Sequence, residues 1–331
     1  MVDLSISLFG LTIFISCLGL VGNVFLIISI LQIKFSRVKS FELFLLGLAS
    51  ANLEEIIIVN IYDIIIHQTS TASTTTTGTF SCYFLRFLTV FGEISSILFT
   101  ILISIYRYLK LRNANKRVNL SISLDSIRSA WIASGVCVLL SMLMSVPVFV
   151  ISPQGSVENI TRNNSICPPD FFQCSKIDCP ILNRIYKYLF ILVCNLLPLI
   201  IVTVTSILIL MVLLRQRSVV QPVESVSGSN QFKRSTKVKL QRSTIAVLAA
   251  MGLFQVDWTL YLIFHLTFSP TDFPFWAETE FFISTSYTSI SPYVYGIGTN
   301  LVSPPSCRNK SIQPCLCSVF KKISHDGDYY N

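Results

Sequence analysis

The stretch CYFLRFLTVFGEISSILFTILISIYR, residues 82–107, decides the fold of this chain. It is almost wholly apolar, and a helix of this length would measure about 37 Å, which exceeds the roughly 30 Å hydrocarbon core of a bilayer. Its one interior charge, Glu93, would lie deep in the membrane, where charges are costly and usually functional. The segment therefore predicts a transmembrane helix whose ends, Cys82 and Arg107, reach opposite surfaces.

The rest of the chain repeats this pattern. Of its 331 residues 52% are hydrophobic and only 13% are charged, whereas soluble proteins carry about 25% charged residues. Apolar runs long enough to span a bilayer, each able to satisfy its own backbone as a helix, indicate an all-α membrane protein with a seven-transmembrane helix bundle. The predicted helices are 6–33, 41–66, 80–111, 129–151, 185–214, 243–268 and 275–298; they form a bundle over 6–300, between a short N-terminal segment 1–5 and a tail 301–331.

The distribution of basic residues sets the orientation. Of the 25 Lys and Arg residues, 20 fall in alternate connections and in the tail, and the formal net charge is +8. Cytoplasmic loops carry an excess of Lys and Arg, so we predict the N-terminus outside and the tail in the cytoplasm. The basic excess is thereby assigned to the inner membrane surface, and no nucleic-acid partner is predicted. Because few residues precede the first helix, any ligand site is expected among the helices or their loops.

The longest outer connection carries two glycosylation sequons, at Asn159 and Asn163. Both lie on the side that the charges independently assign to the exterior, where such sequons are used. Four cysteines occupy the same oxidising side, which allows two disulfides in three pairings; they are Cys82, Cys167, Cys174 and Cys179. No histidine neighbours them, so no zinc site or other metal site is predicted, and no cofactor.

Two predicted helices carry polar residues at membrane depth. Asn23 is most simply explained as a hydrogen-bonding contact between helices. Glu54 and Glu55 are successive residues, which point about 100° apart on a helix and cannot both face one neighbour. Either one is paired inside the bundle while the other is protonated, or the two belong to a proton or cation pathway.

The sixth predicted helix has a stripe of large side chains on one face. Its members follow the i, i+3, i+4, i+7 spacing of a helix face, which fits either core packing or a ligand pocket. They are Trp258, Tyr261, Leu262 and His265.

Several motifs, each at its own helix, resemble those of the rhodopsin-like G-protein-coupled receptors. They are GN in the first helix, LASAN in the second, Cys82 with Arg107 twenty-five residues on, Pro198 in the fifth, and SPYVY (residues 291–295) in the seventh. The departures from the family pattern are specific: Asn52 replaces the usual Asp, Tyr106 replaces the acid before Arg107, SPYVY replaces an Asn-Pro motif, and Leu260 stands where a proline is expected.

These departures, with RVKSFELFLLGLASAN (residues 37–52) and IYRYLKLR (residues 105–112), are similar to the vomeronasal type-1 pheromone receptors and to their fish relatives, the ora-type olfactory receptors. The resemblance implies a chemosensory receptor in the plasma membrane of chemosensory neurons. Such a receptor binds a small odorant or pheromone in an outer transmembrane pocket and activates a heterotrimeric G protein of the Gi/Go class.

The resemblance also implies roles for individual residues. Cys82 would be disulfide-bonded to Cys174, with Cys179 and then Cys167 as alternatives. The pocket would lie between the third, fifth, sixth and seventh helices, and its candidates are Glu93, Arg86, Thr89, Val90, Tyr62, Trp258, Tyr261, Leu262, His265 and Phe281. The residues for activation and G-protein coupling would be Tyr106, Arg107, Tyr108, Pro292 and Tyr295.

Within that pocket two charges give opposite expectations for the ligand. Glu93, about 16 Å below Cys82 along the helix, would pair with a cationic group, and Arg86 near the mouth would pair with an anionic one. Each also has a simpler explanation: Glu93 paired inside the protein and Arg86 facing water. Because no acid precedes Arg107, we also expect an inactive state held by other contacts and a raised basal activity.

Other classes of protein are less consistent with the sequence. Bitter-taste receptors usually lack a counterpart of Cys82 and of SPYVY. A transporter or channel would show internal repeats or paired broken helices, and seven spans do not halve. An enzyme would need clustered nucleophile, base or metal ligands at depth, and the three histidines, His67, His265 and His325, are widely separated in the sequence.

Overall fold

The computed structural model describes residues 2–32, 39–71, 79–116, 125–150, 172, 179–218, 230–268 and 276–299. All regular structure within these ranges is helical. The sequons at Asn159 and Asn163, together with Cys167, Cys174 and the tail, lie outside the described residues.

Within the described ranges, seven helices make up the bundle. They are α1 (Val2–Leu31), α2 (Ser40–Thr71), α3 (Thr79–Lys116), α4 (Ile127–Ser145, extended by a 3₁₀ turn at Val146–Phe149), α5 (Ile181–Phe190, a π-helical segment Ile191–Leu196, then Leu197–Ser218), α6 (Asn230–Thr267) and α7 (Trp276–Thr299). Several run past the apolar stretches of the sequence, and α6 begins well before residue 243, because a helix can continue into water after its apolar part has crossed the bilayer.

Six of these helices are long and apolar enough to cross a membrane. The exception within the described ranges is α7, whose sequence is rich in Ser and Thr. Its polar side chains are buried against other helices, so the low hydropathy reflects an inward-facing polar stripe. They include Thr285, Thr288, Ser289 and Ser291.

Helix α1 packs closely on α7 through glycines. A Cβ atom at Gly19 would meet Ser289 and Ile56, and one at Gly22 would meet the rings of Tyr293 and Pro292. Small residues at such crossings let two membrane helices approach closely. The approach is completed by a hydrogen bond from the Tyr293 hydroxyl to a backbone carbonyl of α1, 2.6 Å away.

A buried amide network joins α1, α2, α3 and α7 at mid-bundle. Asn52 donates to Asn23 over 3.4 Å and to Ser291 over 3.2 Å, and it accepts a 2.7 Å bond from Ser96. Asn23 also donates to the carbonyl of Thr288, 3.0 Å away. The prediction that Asn23 joins helices is confirmed.

The fifth helix changes its pitch at Pro198. The π-helical turns end at Leu196, two residues before this proline. In a regular α-helix a proline ring would clash with the carbonyl four residues earlier, and wider turns relieve such a clash. Single π-turns are frequent at functional sites, and this one brings Cys194 into the outer core cluster.

Candidate functional site

Three buried carboxylates from three helices lie within electrostatic range of one another in the outer half of the bundle. Glu93 of α3 interacts with Glu280 of α7 and with Glu55 of α2. All three are at most 5% exposed. We call Glu55, Glu93 and Glu280 the acidic triad.

Each carboxylate of the triad has different partners. Glu55 accepts a 2.9 Å hydrogen bond from Ser284 through Oε1. Glu280 accepts a 2.9 Å bond from the indole N–H of Trp276 and lies 3.2 Å from Nε2 of His265. One oxygen each of Glu55 and Glu93 is buried with no hydrogen-bond partner among the described residues. An unmatched acceptor inside a membrane protein is costly.

The aromatic face predicted on α6 forms one wall of the site. The ring centroids of Trp258 and Tyr261 are 5.1 Å apart, and those of Tyr261 and His265 are 4.2 Å apart. All three residues are at most 5% exposed, while Leu262 is half-buried beside them. The shared face expected from the spacing is therefore confirmed, and it lies beside the triad because His265 contacts Glu280.

Phe172, from the connection between α4 and α5, closes the site on its outer side. Its ring packs 5.4 Å from Phe190 and 6.1 Å from Tyr186 of α5, and 5.9 Å from His265 of α6. The residue is 3% exposed, so it is a core side chain carried on a loop. Phe172 therefore links α5 to His265, the residue of α6 that contacts Glu280 of the triad.

The other predicted pocket residues divide by what they contact. Tyr62 and Phe281 pack edge to face at 5.9 Å and join Val90 in the outer apolar cluster. The hydroxyl of Thr89 bonds to a carbonyl of its own helix. Arg86 is not a water-facing residue as the simpler explanation assumed, since it is only 2% exposed and interacts electrostatically with Tyr186.

Sequence reasoning omitted three members of the site from its candidates: Glu55, Glu280 and Ser284. A signal for two of them was present, because Trp276, Glu280 and Ser284 recur every four residues and share a face of α7. Which neighbour that face meets was not readable from the sequence. Among the described residues, no group of three or more His, Cys, Asp or Glu side chains is arranged to hold a metal ion.

At the opposite end of the bundle, Arg107 is held by two other helices. Its guanidinium donates a 2.7 Å hydrogen bond to Ser243 of α6 and stacks 3.5 Å over the ring of Phe41 of α2. Both contacts favour a cation, the second through the negative face of the ring. Arg107 is thereby fixed between α2 and α6, and none of the residues described supplies an acidic partner to it.

Tyr106, which stands in place of an acid, belongs to a second cluster at this end. Its hydroxyl donates to Asp125 over 2.8 Å, and Lys110 bonds to both groups over 2.9 Å. Partial burial by itself would raise the pKa of Asp125, but the hydrogen bonds from Lys110 and Tyr106 outweigh it and hold this pKa below its usual range. The carboxylate ties α3 to the start of α4, and the backbone of Asp125 accepts a bond from Ser40 of α2.

A continuous row of packed side chains extends from the outer site to Arg107. Phe254 lies 5.7 Å from Trp258 and 5.4 Å from the ring of Tyr287. The Tyr287 hydroxyl is 2.8 Å from that of Thr100 and interacts with the hydroxyl of Tyr295, which in turn lies in the field of Arg107. The two ends of the bundle are therefore connected through buried contacts.

The sulfurs of Cys82 and Cys179 are each disulfide-bonded. The two other outer cysteines lie outside the described residues, so the preference for Cys174 as the partner of Cys82 stays a prediction. Cys17, Cys137 and Cys194 are free thiols within the helices.

Comparison with known families accounts for this arrangement. The model described as "7 transmembrane receptor (rhodopsin family)" matches residues 22–295, which is most of the chain. The comparison with curated proteins found no match. The matched range contains the last third of α1, all of α2 to α6 and α7 up to Tyr295, and with them the acidic triad, the α6 aromatic wall and Arg107. The chain belongs to the rhodopsin family of seven-transmembrane receptors, which are signalling receptors coupled to heterotrimeric G proteins, not enzymes.

Proposed function

We propose that this receptor is chemosensory: it binds a small odorant or pheromone in the outer half of the bundle and activates a Gi/Go-class G protein at the plasma membrane of chemosensory neurons. The observation that carries the proposal is the acidic triad, with buried carboxylate oxygens that no side chain in the described part of the chain satisfies. Small-molecule sites are concave, largely apolar and fitted with a few converging polar groups. The wall formed by Trp258 and Tyr261 supplies the apolar part.

The resemblance to vomeronasal type-1 and ora-type receptors supports the chemosensory assignment. The tyrosine that replaces the acid before Arg107 has a defined use here, because Tyr106 bonds to Asp125. Cys82 is disulfide-bonded, and bitter-taste receptors usually lack a counterpart of this cysteine. Both observations favour the vomeronasal-type class.

Activation follows from the way Arg107 is held. A ligand that binds better when α6 has moved outward shifts the population towards that conformation. The movement separates Ser243 from Arg107 and frees the guanidinium for the G protein. Pro292 and Tyr295 of the SPYVY motif lie on α7. Tyr295 interacts electrostatically with Arg107, so its surroundings change when the guanidinium is released.

The test is ligand-evoked G-protein activation in cells that express the receptor, with ionic current recorded in the same cells. The agonist screen covers small amines, carboxylic acids and bile- or steroid-like molecules. We expect activation of Gi/Go without a receptor current, and its loss in Arg107→Ala at equal surface expression. A ligand-gated current without G-protein activation, or activation that survives in Arg107→Ala, would contradict the proposal.

A further inference from the structure

We propose that the ligand of the outer site carries a protonated primary amine, which binds between Glu93 and Glu55. This inference rests on the proposed function only for the location of the site, and it adds the chemical class of the ligand. It rests on the unmatched hydrogen-bond acceptors of the acidic triad, on the ionisable groups around the triad and on the aromatic wall beside it.

The unmatched hydrogen-bond acceptors of the triad favour an ammonium group. Glu55 uses one carboxylate oxygen for Ser284 and keeps Oε2 buried without a hydrogen bond in the described part of the chain. Glu93 keeps Oε1 in the same condition, although the residue is 95% buried. A primary ammonium has three N–H donors, so one such group can serve both oxygens. A carboxylate ligand brings only further acceptors and leaves them unmatched.

The ionisable groups around the triad also favour a ligand cation. Three carboxyl groups meet in the triad, and Nε2 of His265 lies 3.2 Å from one of them, Glu280. Arg86 lies two helical turns, about 10 Å, nearer the outer surface than Glu93 and neighbours Tyr186. The inner part of the site therefore has an excess of acidic groups around Glu93 and Glu55, and a ligand cation is complementary to them.

The aromatic wall on α6 indicates the kind of organic group that the ligand carries. Trp258 and Tyr261 line the α6 side of the site, and the faces of aromatic rings attract cations as well as apolar groups. The indole nitrogen of Trp258 is buried with no hydrogen-bond acceptor among the residues described. The site accordingly suits an amine with a compact apolar or aromatic body.

The experiment uses the full-length receptor and a panel of primary amines. Each amine is paired with its alcohol, its carboxylic acid and its trimethylammonium analogue. Binding is read from the thermal stability of purified receptor, and signalling from G-protein activation in cells. We expect at least one primary amine to bind and activate, while its alcohol, acid and trimethylammonium analogues are at least about 30-fold weaker, since they lack either the charge or the N–H donors.

The decisive variant is Glu93→Gln, which preserves shape and removes the charge. Loss of one partner from a buried charge pair costs about 2–5 kcal/mol, so amine affinity should fall at least about 30-fold, with a smaller loss in Glu55→Gln. The matched control is Glu42→Gln in the first turn of the same helix, whose carboxylate accepts a 2.9 Å hydrogen bond from the backbone N–H of Lys39 far from the triad. We expect amine affinity unchanged in the control.

The outcomes separate this inference from the proposed function. G-protein activation only by acids or neutral molecules, or amine affinity that survives Glu93→Gln, overturns the amine inference and leaves the chemosensory function standing. Glu93-dependent amine binding without any G-protein activation supports the inference and contradicts the proposed function. If no amine in the panel binds, the inference is wrong, and the triad is neutralised by protons instead.

Discussion

At the residue scale, Arg107 shows how this receptor manages without the acidic neighbour that its family usually has. A hydrogen bond to Ser243 and a stacked contact with Phe41 hold its guanidinium between α6 and α2. Neither partner is charged, so the restraint is weaker than an ion pair inside the protein would be. Raised basal activity, expected from the sequence, is consistent with this arrangement and stays a prediction.

Removing the hydroxyl of Ser243 should raise basal signalling further. A hydrogen bond to a charged group contributes about 1.5–3 kcal/mol, which corresponds to a shift of roughly 10-fold or more in the population with α6 released. The measurement is unstimulated G-protein activation in Ser243→Ala at matched surface expression. The control is Ser141→Ala, whose hydroxyl bonds only to the carbonyl of Cys137 in its own helix. Equal basal activity in the wild type, Ser243→Ala and Arg107→Ala would refute both the restraint and the raised basal level.

The lowered pKa of Asp125 predicts how the stability of the receptor depends on pH. Its lowered pKa means that the stability gained from Lys110 and Tyr106 is fully present above the ordinary pKa of about 3.9 and is lost as pH falls through the lowered value. Because Asp125 is half exposed, the contribution should be at most about 1 kcal/mol. We expect Asp125→Asn to lower the thermal stability of purified receptor by a constant amount between pH 5 and 7.5, as judged from paired melting curves. A difference that changes across that interval would rule out Asp125 as its source.

At the scale of helices, close packing of α1 against α7 depends on the absence of a side chain at Gly22. A Cβ there would meet Tyr293 and Pro292, part of the motif that marks the seventh helix. Gly22→Val should therefore destabilise the receptor by about 1–3 kcal/mol through overpacking, visible as a lower melting temperature and reduced surface expression. The control is Gly10→Val in the same helix, where nothing lies within 4 Å of an added Cβ. Comparable losses in both variants would show that any valine in α1 is harmful and that the α7 contact is not the cause.

Also at this scale, Phe172 makes a loop part of the core. Its ring packs between Phe190 of α5 and His265 of α6, and His265 contacts Glu280 of the acidic triad. Sequence reasoning emphasised the cysteines of the same connection and did not select Phe172. An aromatic residue in a long loop has no periodic pattern that would predict its burial.

For the molecule as a whole, Tyr287 lies between the outer site and Arg107, and we expect it to couple the two. Its ring contacts Phe254, and its hydroxyl contacts Thr100 and Tyr295. These contacts stabilise the conformation in which Arg107 is held, so Tyr287→Phe should raise basal G-protein activation about 2- to 10-fold, the worth of one hydrogen bond. Agonist affinity should change less than basal activation, because Tyr287 does not line the triad.

Both quantities can be read in one set of cells, by agonist binding and by unstimulated activation. Tyr293→Phe is the matched control. The Tyr293 hydroxyl bonds to a carbonyl of α1 at an exposed position and is not part of the row of side chains between the outer site and Arg107. Basal activity raised equally in the two variants would contradict a role for Tyr287 in coupling the two ends.

The sequence by itself determined the number and order of the membrane-spanning helices, because lipid demands long apolar segments with internally bonded backbones. It also determined which residues share a face within one helix, such as Trp258, Tyr261 and His265, because helical spacing is local. The cost of burying a charge was likewise sufficient to select Glu93.

Only the tertiary structure decided which faces meet. Glu55, Glu280 and His265 join Glu93, and Ser243 and Phe41 join Arg107, through contacts between helices that are distant in the sequence. Those contacts depend on the rotation and spacing of neighbouring helices, which close glycine crossings and individual side-chain shapes set and which no periodicity encodes. For this reason the sequence predicted one carboxylate with a functional role, and the fold showed an acidic triad drawn from three helices.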